Sequence, residues 1–272
     1  MSSIFRYSER IVALDTGDVV DAYEKGKSLR KFGKNSSIGT SYETLAEMQG
    51  AEVQETFVST NIIDSISSSS ASDTTQSIII EGHTIDESGN LTFAIQTCSL
   101  NGQTEVTLTT PLARVTRAYV ANSGVFNTTP ANLVGTVYIY DNSGGIAAGV
   151  PSTASATKAL IKAGQTQTAK CATTISQNDY WFINSFSAGV GNAGGSANRV
   201  TFRILKRDIK NGGAWRPAGR EINVAIGGSD NEEKFDPPLV IGKNHDVIVQ
   251  AKTDSNTAEG FAELQGVLAT LN

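Results

Sequence analysis

The sequence predicts an all-β protein, a β-sandwich of jelly-roll type over residues 61–272 with a largely extended N-terminal arm over residues 1–60. Three observations point there. Short segments that alternate apolar and polar residues recur at regular spacing from Ser77 onward, the signature of half-buried strands. Charged residues make up only 18% of the chain while Gly, Ser, Thr and Asn abound, a mixture suited to many strands joined by tight turns. After residue 60 no segment sustains a helical period. A dozen or so such strands are too many for one flat sheet, which folds over itself to cover its apolar face. Two smaller sandwiches divided near residue 145, in the Gly/Ala/Ser-rich passage Asn142–Ala156, form the alternative arrangement.

Within the arm, Val19, Val20 and Tyr23 predict a short helix over Asp18–Lys31, weakened by Gly26. Lys25, Lys27, Arg30, Lys31 and Lys34 form the chain's one local run of positive charge, read either as a solvated face or as an arm lying on an acidic protein surface. Ser41, followed by Glu43, Glu47 and Gly50, predicts a second short helix or turn, since Ser caps helices and Gly ends them. Ser65–Asp73 (SISSSSASD) reads as a linker or draped loop, because so little apolar surface cannot order a segment by itself.

Strands are predicted over Ser77–His83, Leu91–Cys98 and Leu133–Asp141, and in the second half over Thr157–Ala163, Thr166–Thr174, Tyr180–Ala188, Arg199–Arg207, Trp215–Ile226, His245–Thr253 and Gly260–Thr270. The stretch Thr104–Ser123 reads as a long bent strand at a sheet centre, with Pro111 marking a bulge, an edge or a break, because proline donates nothing to the ladder. Asp86–Asn90 and Asn101-Gly102 match hairpin loops.

A net charge of −5 argues against general nucleic-acid affinity, which rests on neutralising phosphates. The start MSSIFRYSERIVAL lacks a basic stretch followed by an apolar run, and no segment is apolar for long enough to span a bilayer as a helix; an unexported protein without membrane partners is expected. Cys98 and Cys171 fall in predicted strands and read as small core residues rather than a bridge.

No constellation of catalytic, cofactor-binding or metal-ligating residues emerges. Gly189–Gly194 (GVGNAG) matches a dinucleotide-loop spacing, but the segment after it reads as a strand instead of a helix, which favours a hairpin loop. His83 and His245 have no partner at metal-ligand spacing, and no G-x-S-x-G elbow exists. Carboxylate pairs such as Asp86-Glu87 and Glu232-Glu233 sit in turn-like sequence, where hydration accounts for them. Trp215 and the cluster Tyr180, Trp181 and Phe182 read as core or inter-sheet residues.

Four segments, taken in order, carry a resemblance: LRKFGKNSSIGTSYETL (Leu29–Leu45), SIIIEG (Ser77–Gly82), SLNGQTEVTLTTPLARVTRAYVANSG (Ser99–Gly124) and GGAWRPAGRE (Gly212–Glu221). Together they resemble a family of tailed-bacteriophage virion structural proteins. The resemblance implies a non-enzymatic particle component, a capsid decoration or minor head protein that assembles as a homo-oligomer and contacts the major capsid protein or other virion components. Docking through the arm would fall to Lys25, Lys27, Arg30, Lys31, Phe32 and Lys34. A collar or tail position is the neighbouring reading. The third is a host-glycan module with Trp181, Tyr180, Tyr138 and Tyr140 as stacking faces.

Overall fold

The computed structural model describes residues 26–50, 54–121, 133–193, 197–226 and 231–270. Among the described residues strand makes up 61% and no helix reaches seven residues, so the fold is all-β as the alternation predicts. In chain order the strands are β1 (Lys27–Ile38), β2 (Glu43–Thr44), β3 (Ile63–Ser68), β4 (Ser77–Ile85), β5 (Leu91–Ser99), β6 (Val106–Leu112), β7 (Arg114–Val120), β8 (Val137–Tyr140), β9 (Ile146–Ala147) and β10 (Val150–Pro151). They continue as β11 (Thr157–Ile161), β12 (Ala172–Ile175), β13 (Asp179–Ala193), β14 (Arg199–Asp208), β15 (Arg216–Pro217), β16 (Ile222–Ala225), β17 (Asn231–Ile241), β18 (His245–Thr253) and β19 (Ala258–Thr270). Two compact units divide them, one holding the described residues up to Leu45 and from Cys171 onward, the other Ala46–Lys170. These boundaries differ from those expected at residues 60 and 145.

The first unit is a jelly roll. One sheet runs β1-β19-β13-β17 and the other β12-β18-β14, with β16 and β15 both pairing to β14 and β2 to β18. Followed along the chain, β1, β12, β13, β14, β16, β17, β18 and β19 switch between the sheets in the order that winds two Greek keys around one core. Val200, Phe202 and Ile204 of β14 and Val247, Val249 and Ala251 of β18 supply one wall of that core; Ile38, Trp181, Ile183, Phe186, Ala262 and Leu264 supply the other. In β13 the inward set passes from Trp181 and Ile183 to Phe186 and Ala188, because a bulge between Ile183 and Ser185 shifts the pleat by one residue. Glycine admits the tightest contacts: a Cβ at Gly266 would lie 2.1 Å from the Phe182 carbonyl oxygen.

The second unit is a separate sandwich of a four-stranded sheet, β11-β8-β3-β6, and a three-stranded sheet, β5-β4-β7. Its core gathers Ile63 and Ile66, Ile78 and Ile80, Leu108 and Leu112, Val115 and Ala118, and Val137 and Ile139. In sequence, the whole unit lies between the first and second jelly-roll strands.

Several expectations are corrected. Of the expected helix Asp18–Lys31, Lys27–Lys31 belongs to strand β1, paired with β19, and Gly26 precedes it; residues 18–25 lie outside the described residues. Of the helix or turn expected from Ser41, the helix is absent: residues 41–50 hold β2 and a turn at Gly50 (φ 60°). Ser65–Ser68 is no linker but part of β3, an inner strand whose serines are buried. Ser67 Oγ lies 2.9 Å from the Gly149 carbonyl and 3.2 Å from Tyr140 Oη, and Asp73 accepts from Ser68 Oγ at 2.6 Å and from the Val134 and Gly135 amides at 2.9 Å. Buried polar groups supplied with partners order this segment in place of apolar bulk. Thr104–Ser123 is not one central strand: β6 and β7 are edges of different sheets, broken at Ala113, and Pro111 sits on such an edge. Asp86–Asn90 is the expected β4–β5 hairpin, whereas the turn at Asn101-Gly102 leads from one sheet to the other. Gly189–Ala193 ends strand β13 instead of forming a loop, and Glu232-Glu233 lies in β17 instead of a turn. Cys98 and Cys171 are both free and buried.

At Gly33 of β1 a Cβ would stand 2.1 Å from the Leu45 carbonyl oxygen and 2.2 Å from the Cys171 amide nitrogen. Gly33→Val therefore forces backbone from backbone and is expected to cost the jelly roll about 2–4 kcal/mol. Trp181 and Trp215 both lie in this unit, so tryptophan fluorescence in a urea titration reads the loss. An unshifted midpoint would contradict the close approach.

Candidate functional site

In β1 the residues expected to dock have unequal fates. Lys25 lies outside the described residues. Lys27 is exposed and Phe32 is 43% exposed, whereas Lys31 is buried at 6%. Arg30 Nη2 meets Glu263 Oε1 at 2.5 Å, with Nε donating to the same oxygen at 2.6 Å, and Lys34 Nζ lies 2.8 Å from Glu259 Oε1. Both acids belong to β19, the strand paired with β1. Part of the basic run is therefore neutralised across the ladder; Phe32 shares the outward face of β1 with Arg30 and Lys34, while Lys27 is exposed at the start of the strand, on the opposite face.

The aromatic residues separate in the same way. Trp181 and Tyr140 are 0% exposed, which removes them as stacking faces for a glycan. Tyr180 is half-buried, with Lys243 Nζ 5.4 Å from its ring centroid, and Tyr138 is half-buried. Trp215 is not in the core but half-buried, with the Arg207 guanidinium 4.9 Å above its ring. Asp246 fixes that guanidinium, accepting from Arg207 Nη2 at 2.8 Å and Nε at 2.9 Å. Tyr42 carries Arg203 at 3.4 Å and Lys252 at 4.5 Å from its ring centroid and donates its hydroxyl proton to Glu221. Burial, then the bond to Glu221, pushes the Tyr42 hydroxyl up to about 12. These cation–aromatic stacks bind Tyr42, just ahead of β2, to β14 and β18 and to the Trp215–Glu221 segment.

Buried charge in the second unit serves packing. Lys170 Nζ donates to Glu55 Oε1 at 2.7 Å and to the Val115 and Lys158 carbonyls at 2.9 Å. Arg114 of the RVTRAYV segment is 3% exposed and donates to the Val58 and Ala113 carbonyls beneath Phe57, while Arg117 stacks on Tyr119 at 4.4 Å. His83 is buried edge-on to Phe93, with ring centroids 5.7 Å apart. No group of three or more His, Cys, Asp or Glu is placed to hold a metal ion among the described residues. Burial pushes the Cys171 thiol up to about 12, away from the reactive thiolate.

One surface escaped the sequence reading. Phe93 (49% exposed) and Ile95 (59% exposed) stand on the outer face of β5, an edge strand without a charged residue. The alternation that predicts β5 contains both side chains, but not the fact that their face lacks a covering layer.

A scan against protein-family models finds no match, and no curated protein matches. Among solved structures, the chain is similar to a structure of infectious bursal disease virus (Gt strain), at 9% identity over 90% of this chain and 72% of the other, with a TM-score of 0.24. It is also similar to the VP2 subviral particle of that virus, at 8% identity over 91% and 72% of the two chains, with a TM-score of 0.23.

Two expectations follow. Arg30→Glu sets two carboxylates side by side and is expected to cost about 0.5–1 kcal/mol, with most of it recovered in R30E/E263R. If Arg30 also docks, R30E/E263R recovers stability but not particle binding; binding that returns with stability gives Arg30 a role inside the jelly roll alone. The second concerns Glu55, whose carboxyl burial raises above its ordinary value against the opposing pull of Lys170. A raised folded pKa gives stability that is present below the ordinary carboxylate value and lost as pH rises through the folded one. Calorimetry at rising pH from the ordinary carboxylate value of 4.5 upward should show this fall in the wild type and a flatter profile in Glu55→Gln, whatever the offset in absolute stability; superimposable slopes would refute it.

Proposed function

We propose that the chain is a structural component of a tailed-phage particle, a capsid decoration or minor head protein that works by presenting shape to its neighbours. The observation that carries this reading is the jelly roll wound from β1, β12–β14 and β16–β19, an architecture that builds viral shells, in a chain whose KFGKN, LNGQT and RVTRAYV segments resemble phage virion proteins. In two of those segments, KFGKN and RVTRAYV, named residues shape the fold. Gly33 of KFG admits the Leu45 and Cys171 backbones, Asn35 Nδ2 donates to Glu43 Oε2 at 3.1 Å across the following turn, and Arg114 ties β7 to the Val58 strand approach. All three act on the fold, which suits a component whose function is its shape.

Docking on the particle is assigned to the exposed groups of β1, Phe32 on its outer face and Lys27 at its start, with Lys25 as the continuation of the same charge run. Such a contact weakens as salt screens it. The major capsid protein is the expected partner, and the virion the expected location.

Peptide mass spectrometry on purified particles of the encoding phage tests the reading. A copy number in the hundreds is expected for a shell component. A small count matching tail symmetry would move the protein to the collar or tail, and absence from the particle would overturn the proposal.

A further inference from the structure

Edge strands offer unpaired backbone groups, and proteins that do not use them for association guard them with charges, prolines or short length. This chain guards its edges in that way. β1 carries Lys27, Arg30 and Lys34; β17 carries Glu232, Lys234, Pro237 and Pro238. The edge of β7 is covered, the Val120 amide donating to the Thr166 carbonyl and the Thr168 amide to the Ala118 carbonyl, each at 2.9 Å. β6 carries Pro111, and the Gln96 side chain occupies both the amide and the carbonyl of Thr110 at 3.0 and 2.8 Å. β11 and β12 are short and buried throughout. Among the described residues, β5 departs from the pattern. It is nine residues long, ends its sheet, and contains neither a charge nor a proline.

On its outer face β5 carries Phe93 and Ile95, two of the most exposed large apolar side chains in the protein. The face extends inward along the sheet through Thr97, opposite Ile79, which is itself opposite Tyr119. Charge returns on β4, where Glu81 stands opposite Ile95 and, on its other side, faces Arg117 of the far edge strand β7.

We propose that β5 is a contact between two copies of this chain, paired antiparallel about a two-fold axis at Ala94, so that Phe93 of each copy lies opposite Ile95 of the other. The choice of a second copy deepens the assembly reading above and rests on it. The strand's composition also favours it. A two-fold contact sets one patch against itself, so any charge in the strand would meet a like charge or need an opposite one at the mirrored position; β5 has none. Centring on Ala94 creates two aromatic–β-branched cross-strand pairs at once, the pairing that stabilises antiparallel ladders. The two three-stranded sheets then continue as one.

The test is the mass of the full chain in solution by light scattering over a range of concentrations. The wild type is expected to reach at least the dimer. Phe93→Glu and Ile95→Lys, each replacing an exposed side chain, are expected to halve the limiting mass or shift dissociation at least tenfold in concentration. The double variant F93E/I95K, which sets opposite charges across each pair, is expected to recover association in a salt-dependent way. A wild type that stays monomeric, single variants that associate like it, or a double variant that remains dissociated would each overturn the strand pairing. The particle copy number is independent of these outcomes, so this contact and the virion reading fail separately.

Discussion

The structure depends on a backbone closure at the point where the chain leaves the jelly roll and comes back. Leu45 and Cys171 are far apart in sequence, yet the Cys171 amide donates to the Leu45 carbonyl at 2.9 Å. Val249 joins them, accepting from the Leu45 amide at 2.8 Å and donating to the Cys171 carbonyl at 3.0 Å. On the other side of each peptide bond, Ala46 bridges Lys170 and the Glu47 amide donates to the Ala169 carbonyl at 3.1 Å, within the second unit. Closing a chain segment costs entropy that grows only slowly with its length once the ends are held. The jelly roll can therefore complete its winding with a whole sandwich spliced between its first two strands. The close packing at Gly33 belongs to the same closure, since the atoms its absent side chain makes room for are those of Leu45 and Cys171.

Much of the fold was legible because most strands bury one face. Val200, Phe202 and Ile204, or Val247 and Val249, announce their strands without help. What stayed hidden had physical reasons. β3 is apolar only at Ile63 and Ile66, which a bulge brings to the same side, and its remaining inward groups are serines satisfied by partners such as Tyr140, Gly149 and Asp73. β17 carries two adjacent prolines that an edge tolerates and an inner strand would not. β1 reads as a charged arm until Glu259 and Glu263, more than two hundred positions away in the chain, are laid beside it.

Site residues followed the same rule. Their chemistry was visible, but not their company. A basic run gives no sign of which members are already paired, and Tyr140 and Trp181 differ from Trp215 only in what covers them. Phe93 and Ile95 needed the strand order to be recognised as a bare edge. The resemblance to virion proteins was carried by segments whose residues turn out to shape the backbone: a glycine at a close approach, an asparagine across a turn, an arginine under a loop.

The clasped departure and return of the chain make the inserted sandwich a cassette. Because its two ends are neighbours in one ladder, its loops, length and even its architecture can be exchanged without disturbing the register of β1 against β19. Change within the insert leaves the winding of the jelly roll intact, and substitutions between the two clasped peptide bonds spare the β1–β19 ladder.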